Sequence, residues 1–215
     1  MRDDLDLLDW RRRVADLYGE VRRRGPSETT WRWWRDERDE LFASHPSSPL
    51  RPEDRATFSG LPVFPYDAEL RLGALDVHDA EPVTMHIAHS ADGVTPAHRI
   101  GTLALPLGGV VHPVSVFWLD TYGGGIFVPL RDATNGVTTY GGGRYLLDTV
   151  KSADLGGSHD QLEIDLNFAY HPSCVHDPAW SCPLAPAGER LSVAIEGGER
   201  LPDTPASSAV VGLAT

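Results

Sequence analysis

The sequence predicts a mainly β protein: an antiparallel β-barrel or rolled sheet of about nine strands behind an N-terminal two-helix arm. Three observations predict it. Up to residue 45 the apolar residues recur at helical spacing; from Glu69 to about residue 200 they recur with period two. Short turn signals, not crossover helices, separate the period-two segments, which favours a barrel or sandwich over a βαβ fold.

The arm spans residues 1–45. Leu7, Trp10, Val14, Leu17, Tyr18 and Val21 share one helix face, Arg22 to Arg24 suit the negative end of that helix, and Gly25-Pro26 stops it. A second helix, capped by Thr29 or Thr30, carries "WRWWRDERDELF" with interleaved acids and arginines. Its tryptophans read as packing against the body. Residues 46–68 form a connector broken by five prolines, with a one-turn helix expected at Arg51 to Arg55. Its "GLPVFPYD" segment is stiff, and Phe64 and Tyr66 are expected in the core.

The barrel body spans residues 69–200. Its strands are expected in "ELRLGALDV", "PVTMHIAHS", "RIGTLALPL", "HPVSVFWLD", "GIFVPL", "GVTTY", "GRYLLDT", "QLEIDLNFAY" and "RLSVAIEG". Turn signals include Ala91-Asp92-Gly93, Gly108-Gly109, Gly123 to Gly125, Asn135-Gly136 and Gly156-Gly157. Residues 201–215 read as a tail.

The length of 215 residues suits one domain with a full core. A net charge of −12 repels nucleic acid and anionic membrane, so neither is an expected partner. Lys151 is the sole lysine among 19 cationic residues. The N-terminal segment lacks a signal-peptide core and no run reaches membrane-span length, so a soluble cytoplasmic protein is the expectation. Cys174 and Cys182 are then thiols more readily than a disulfide.

Three stretches concentrate chemistry. In "DATNGVTTYGGGRYLLD", Asn135-Gly136 fits a hairpin turn, and three glycines without side chains permit a bend or the close approach of another backbone or a ligand. A phosphate loop is excluded: no Gly-Lys-Ser/Thr and no helix pattern follows. A barrel-corner kink is the bland reading. The functional reading aims Arg144 and Tyr145 into a cavity, Arg144 as a fork for a carboxylate or phosphate, with Asp132 or Asp165 as its alternative internal partner.

In "LEIDLNFAYHPSC", alternation places Glu163, Asp165, Asn167, Ala169 and His171 on one face. That face points to water in the bland reading. Asp and Asn are poor strand formers, however, and a polar lumen would explain them. Asp165 would then act as a general base if burial raises its pKa, and a nearby Arg144 would oppose that rise.

In "HPSCVHDPAWSC", four N or S donors fall within twelve residues, at a spacing that matches no standard zinc pattern. Buried thiols, a short disulfide loop, a metal site and a Cys–His pair all remain open.

The stretches "IFVPLRDATNGVTTYGGGRYLLDT" and "IDLNFAYHPSCVHDPAWSCPLAPAGERLSVAIEGGER", with "GLPVFPYD" upstream, resemble the domain-of-unknown-function family 1684 over nearly the whole chain. The sequence departs from the family pattern at His171 (usually Asn), Leu166 (usually Phe) and Gly188-Glu189-Arg190. The resemblance implies no agreed activity.

The resulting expectation is a small acidic organic ligand bound in a barrel cavity, with acid–base chemistry as an option. Tyr140, Arg144, Tyr145 and Asn167 are the candidate binding residues, and Asp165 and His171 the candidate catalytic pair. No motif identifies a cofactor, and a homodimer stays open. The rival readings are a structural or protein-interaction module and a metal protein built on the Cys/His loop.

Overall fold

The computed structural model describes residues 2–203. The expected tail therefore lies almost wholly outside the described residues.

Helix α1 (Arg2–Arg24) opens with Asp3 and Asp4 and closes with three arginines, matching the helix dipole at both ends. Its apolar stripe is buried from Val14 through Val21. Helix α2 (Glu28–Ser44) is capped by Ser27, whose hydroxyl accepts from the Thr30 amide, rather than by Thr29 or Thr30. The Thr30 hydroxyl instead donates 2.8 Å to the Gly25 carbonyl, bonding back across the turn. Trp31, Trp34, Leu41 and Phe42 form its buried face, and Arg38 lies among them. A short helix, α3 (Pro52–Arg55), begins with proline where its missing amide costs nothing.

Seven strands follow: β1 (Arg71–Asp76), β2 (Thr84–Ala88), β3 (Val94–Leu107), β4 (Val110–Leu119), β5 (Gly125–Leu130), β6 (Arg144–Asp148) and β7 (Gln161–Asp165). Strands β2 to β6 form an antiparallel meander in sequence order, and β1 pairs with β7. The β3–β4 hairpin turns at Gly108-Gly109, both at positive φ, as a two-residue turn requires. Bridges at His78–Thr102 and Tyr145–Tyr170 join the two sheets.

This corrects the barrel expectation: among the described residues the sheets form no closed barrel. Two expected strands are absent and one is cut short. "GVTTY" folds back on itself because the Thr134 carbonyl accepts from the amides of Val137, Thr138 and Thr139, leaving no ladder for a hairpin. "RLSVAIEG" runs as an irregular strap, because the carbonyls of Ile195 and Gly197 are bonded to a guanidinium instead of a neighbouring strand. Strand β7 ends at Asp165, whose carboxylate accepts from the Asn167 amide and starts a single 3₁₀ turn over Leu166–Phe168. From Ile164 to Tyr170 every residue is buried, so the two-residue alternation is lost.

Candidate functional site

The glycine run and Arg144 serve internal structure. Arg144 and Asp132 are both 0% exposed, and Arg144 Nη2 meets Asp132 Oδ2 at 2.8 Å. The same nitrogen donates 2.8 Å to the Ile195 carbonyl, while Nη1 donates to the Gly197 carbonyl. Burial lowers the Arg144 pKa and Asp132 pushes it back up. The other Asp132 oxygen accepts from the amide and hydroxyl of Thr134 at 2.7 and 2.6 Å. Asn135 ties this turn to Thr139 and to the Tyr140 carbonyl. Of the two internal acids weighed as partners for Arg144, it is Asp132 that pairs.

Gly143 lies at φ +94°, and a Cβ there would sit 2.5 Å from that of Ala185. The Ala185 amide donates to the Gly142 carbonyl at 3.0 Å. The glycines therefore admit the backbone of residues 184–185, one of the approaches the sequence allowed.

The other predicted residues are also drawn inward, to separate places. Tyr145 is buried, with its hydroxyl donating to the Pro183 carbonyl and its ring edge-on to Phe127 at 4.7 Å. Burial raises the Tyr140 pKa to about 12, assisted by Cys174. The Asn167 side chain pairs with both backbone groups of Asp67, at 2.9 and 2.8 Å, and the Asn167 backbone carbonyl accepts from the Trp31 indole at 2.8 Å. Burial pushes the Asp165 pKa up to about 6, against two hydrogen bonds from Asn167, and its Oδ2 has no partner among the described residues. Asp165 lies at the β1–β7 pair, opposite Arg71.

His171 sits elsewhere. Its Nε2 accepts from the Tyr140 amide at 3.2 Å, which places the ring proton on Nδ1, 3.9 Å from Glu199. Burial lowers its pKa to about 3, Glu199 opposing, so the imidazole is neutral.

His171 borders a cleft of about 260 Å³ between the helical arm and the segment from Tyr170 to Cys182. Trp10, Phe42, Tyr170 and Trp180 supply aromatic walls, and Arg11, Arg38 and Lys151 supply cationic side chains. None of the lining residues among those described is an acid. Beneath it, Arg38 Nε donates 2.8 Å to Glu199 Oε1, while the guanidinium lies over the rings of Phe42 and Tyr170 at 4.7 and 5.1 Å. Glu199 Oε2 accepts 2.7 Å from the His171 amide. Burial pushes the Glu199 pKa up, but Arg38 and the nearby histidines more than offset this and hold it below the usual carboxylate range. The Tyr170 hydroxyl is buried and has no partner among the described residues, and burial pushes its pKa well up.

Sequence reasoning missed Arg38, Glu199 and the arm as a cleft wall. One signal was available: Arg38 falls four residues after Trp34 and four before Phe42, so it stands on the apolar face of α2, where a charge needs a partner.

In the Cys/His segment both cysteines are free thiols, and among the described residues no group of three or more His, Cys, Asp or Glu side chains is placed to hold a metal ion. His171 faces Glu199, whereas His176 lies edge-on to Phe42 at 5.2 Å.

Residues 56–200, from the connector through the strap, match the family described as "Protein of unknown function (DUF1684)". The chain belongs to this family. Its fold is also similar to the solution NMR structure of an uncharacterized protein from Haloarcula marismortui, at 34% identity and a TM-score of 0.55, covering 81% of this chain and 94% of that one. No curated protein matches the sequence. The family match takes in Tyr170, His171, Cys182 and Glu199, while α1 and α2 lie before it. No helix among the described residues is long and apolar enough to cross a membrane.

Proposed function

We propose that the protein binds a small acidic organic ligand in the cleft between the helical arm and the Tyr170–Cys182 segment. One observation carries this reading: in a chain of net charge −12, the lining is aromatic and cationic without a single acid. Ligand sites are commonly apolar hollows with a few convergent polar groups. Arg11 and Lys151 supply attraction for an anionic group. Arg38 supplies a planar face whose own charge is balanced by Glu199. The Tyr170 hydroxyl is a donor without an acceptor among the described residues. The acidic ligand expected from the sequence is thereby assigned to an interface cleft rather than to a barrel lumen around Arg144.

The test uses two fluorescent probes of one skeleton, 8-anilinonaphthalene-1-sulfonate and its uncharged counterpart N-phenyl-1-naphthylamine. Saturable one-to-one binding of the sulfonate is expected, with weaker binding of the neutral probe, and with sulfonate affinity reduced in Arg11→Glu and Lys151→Glu. Equal affinity for both probes, or no change in either variant, overturns the reading.

A further inference from the structure

We propose that the ligand of the cleft is a singly charged aromatic carboxylate of one or two rings, which rests on the acidic-ligand reading and narrows it. The surface of the cleft, its size and its balance of charge all point to this class.

The surface suits a flat π system. Trp10 and Phe42 stand on the arm with their rings 5.6 Å apart and tilted by 59°, and Tyr170 and Trp180 belong to the opposite segment. The Arg38 guanidinium lies over the rings of both Phe42 and Tyr170, at 4.7 and 5.1 Å, so a planar cation joins the aromatic surfaces of the two sides. Aromatic rings gain energy on such surfaces beyond the burial of area, and a saturated ring of similar size does not. The volume of about 260 Å³ lies just under the roughly 300–1,000 Å³ typical of sites for drug-sized molecules. It suits one or two rings better than a nucleotide.

Three cations line the cleft, and two of them are balanced. Arg38 Nε meets Glu199 Oε1 at 2.8 Å, and Lys151 Nζ lies 3.8 Å from Asp148 Oδ2. Arg11 is exposed on α1, where the positions three and four residues away are Leu7, Leu8, Val14 and Ala15. No acid on its own helix face therefore offsets it. One unbalanced cation matches a monoanion, and a carboxylate also fits the fork of a guanidinium. A dianionic phosphate ester would bring a second charge into a largely apolar hollow without a free partner.

The experiment titrates the full-length protein by calorimetry at pH 8 with three probes of one skeleton: 1-naphthoate, its saturated counterpart decahydro-1-naphthoate, and 1-naphthyl phosphate, which is a dianion at that pH. Naphthoate is expected to bind one-to-one, to displace the anilinonaphthalene sulfonate, and to bind about tenfold more tightly than the saturated acid. The phosphate is expected to bind no more tightly than naphthoate. Trp180→Leu keeps an apolar wall but removes a ring, and should narrow the gap between naphthoate and the saturated acid about threefold. Equal affinity of the wild-type protein for these two acids overturns the aromatic class, and a phosphate bound tenfold more tightly overturns the single charge. Both results leave the acidic-ligand reading standing. Failure of all three probes where the anilinonaphthalene sulfonate still binds overturns this inference alone; failure of the sulfonate as well overturns both.

Discussion

Two buried arginines hold the strap formed by residues 191–199, and they hold it differently. Arg144 grips its backbone, donating to the carbonyls of Ile195 and Gly197 while paired with Asp132. Arg38 grips its side chain, pairing with Glu199 and leaving the guanidinium face between aromatic rings at a cleft. An arginine in a long glycine-rich motif can thus be pure scaffold, while an inconspicuous one on a helix stands beside the open space. Motif density marks demanding backbone geometry as readily as it marks chemistry.

The largest test of that contrast is Arg144→Ala. It leaves Asp132 and the strap carbonyls buried without their donor, and breaking a buried pair in this way costs about 3–5 kcal/mol. Urea unfolding should show that loss. A loss below about 1 kcal/mol would mean that the guanidinium is dispensable to the scaffold and available to a ligand after all.

Asp165→Asn should act in the opposite direction. The Asp165 pKa is raised from 3.8 to about 6, so the folded chain keeps a proton that the unfolded chain releases within this window. Its contribution to stability is full at lower pH and declines as pH rises through the window, by up to about 3 kcal/mol. His171 runs the other way: with its pKa lowered from 6.5 to about 3, its neutral burial supports folding above 6.5 and loses support as pH falls. The two slopes oppose each other between about pH 4 and 6. Asp165→Asn keeps an acceptor for Asn167 and removes one slope, so it should stabilise at pH 7, give no gain near pH 3, and let stability climb with pH in between. Melting temperatures across that range would read this, and a variant less stable than wild type at pH 7 would show that the charge is needed.

Smaller still is Arg38→Lys, which keeps a cation for Glu199 but loses the planar face over Phe42 and Tyr170, at a cost of about 1 kcal/mol. A loss as large as that of Arg144→Ala would remove the distinction between the two arginines. Smallest is Lys151→Glu, expected to cost about 0.5–1 kcal/mol in stability: the side chain is half-exposed, but it lies 3.8 Å from the buried Asp148 carboxylate and the variant puts a like charge there. It should nevertheless weaken binding of the anilinonaphthalene sulfonate about fivefold, as a surface charge worth about 1 kcal/mol would.

Much of the fold was legible. The helical period of α1, the tryptophan face of α2 and the strand segments containing β1 to β6 were all visible; α1, α2 and β3 bury one face of a regular element, whereas β6 is buried on both faces. Two regions were not. "GVTTY" and "RLSVAIEG" have strand composition, but their backbone groups are claimed by the Thr134 carbonyl and by Arg144, contacts that sequence periodicity does not report. Asp165 and Asn167 were singled out for being poor strand formers, and the cause proved to be a 3₁₀ turn with an amide pairing to Asp67 rather than a polar lumen. The cleft was hidden for a different reason. Its walls come from opposite ends of the sequence, and only packing of the arm brings Trp10 and Phe42 to Tyr170 and Trp180.

The strap also sets an order of events in folding. Arg144 is twelve residues from Asp132 but 51 and 53 from the carbonyls of Ile195 and Gly197. On the ribosome, the turn around Asp132 can close as soon as β6 emerges, yet Arg144 must wait about fifty residues for its remaining acceptors. Until then a partly desolvated guanidinium and an unfinished sheet edge are exposed to solvent and to other chains. The last segment to arrive is the one that lets the earlier motif settle, so the interval between β6 and the strap is when the nascent chain would be most in need of a chaperone.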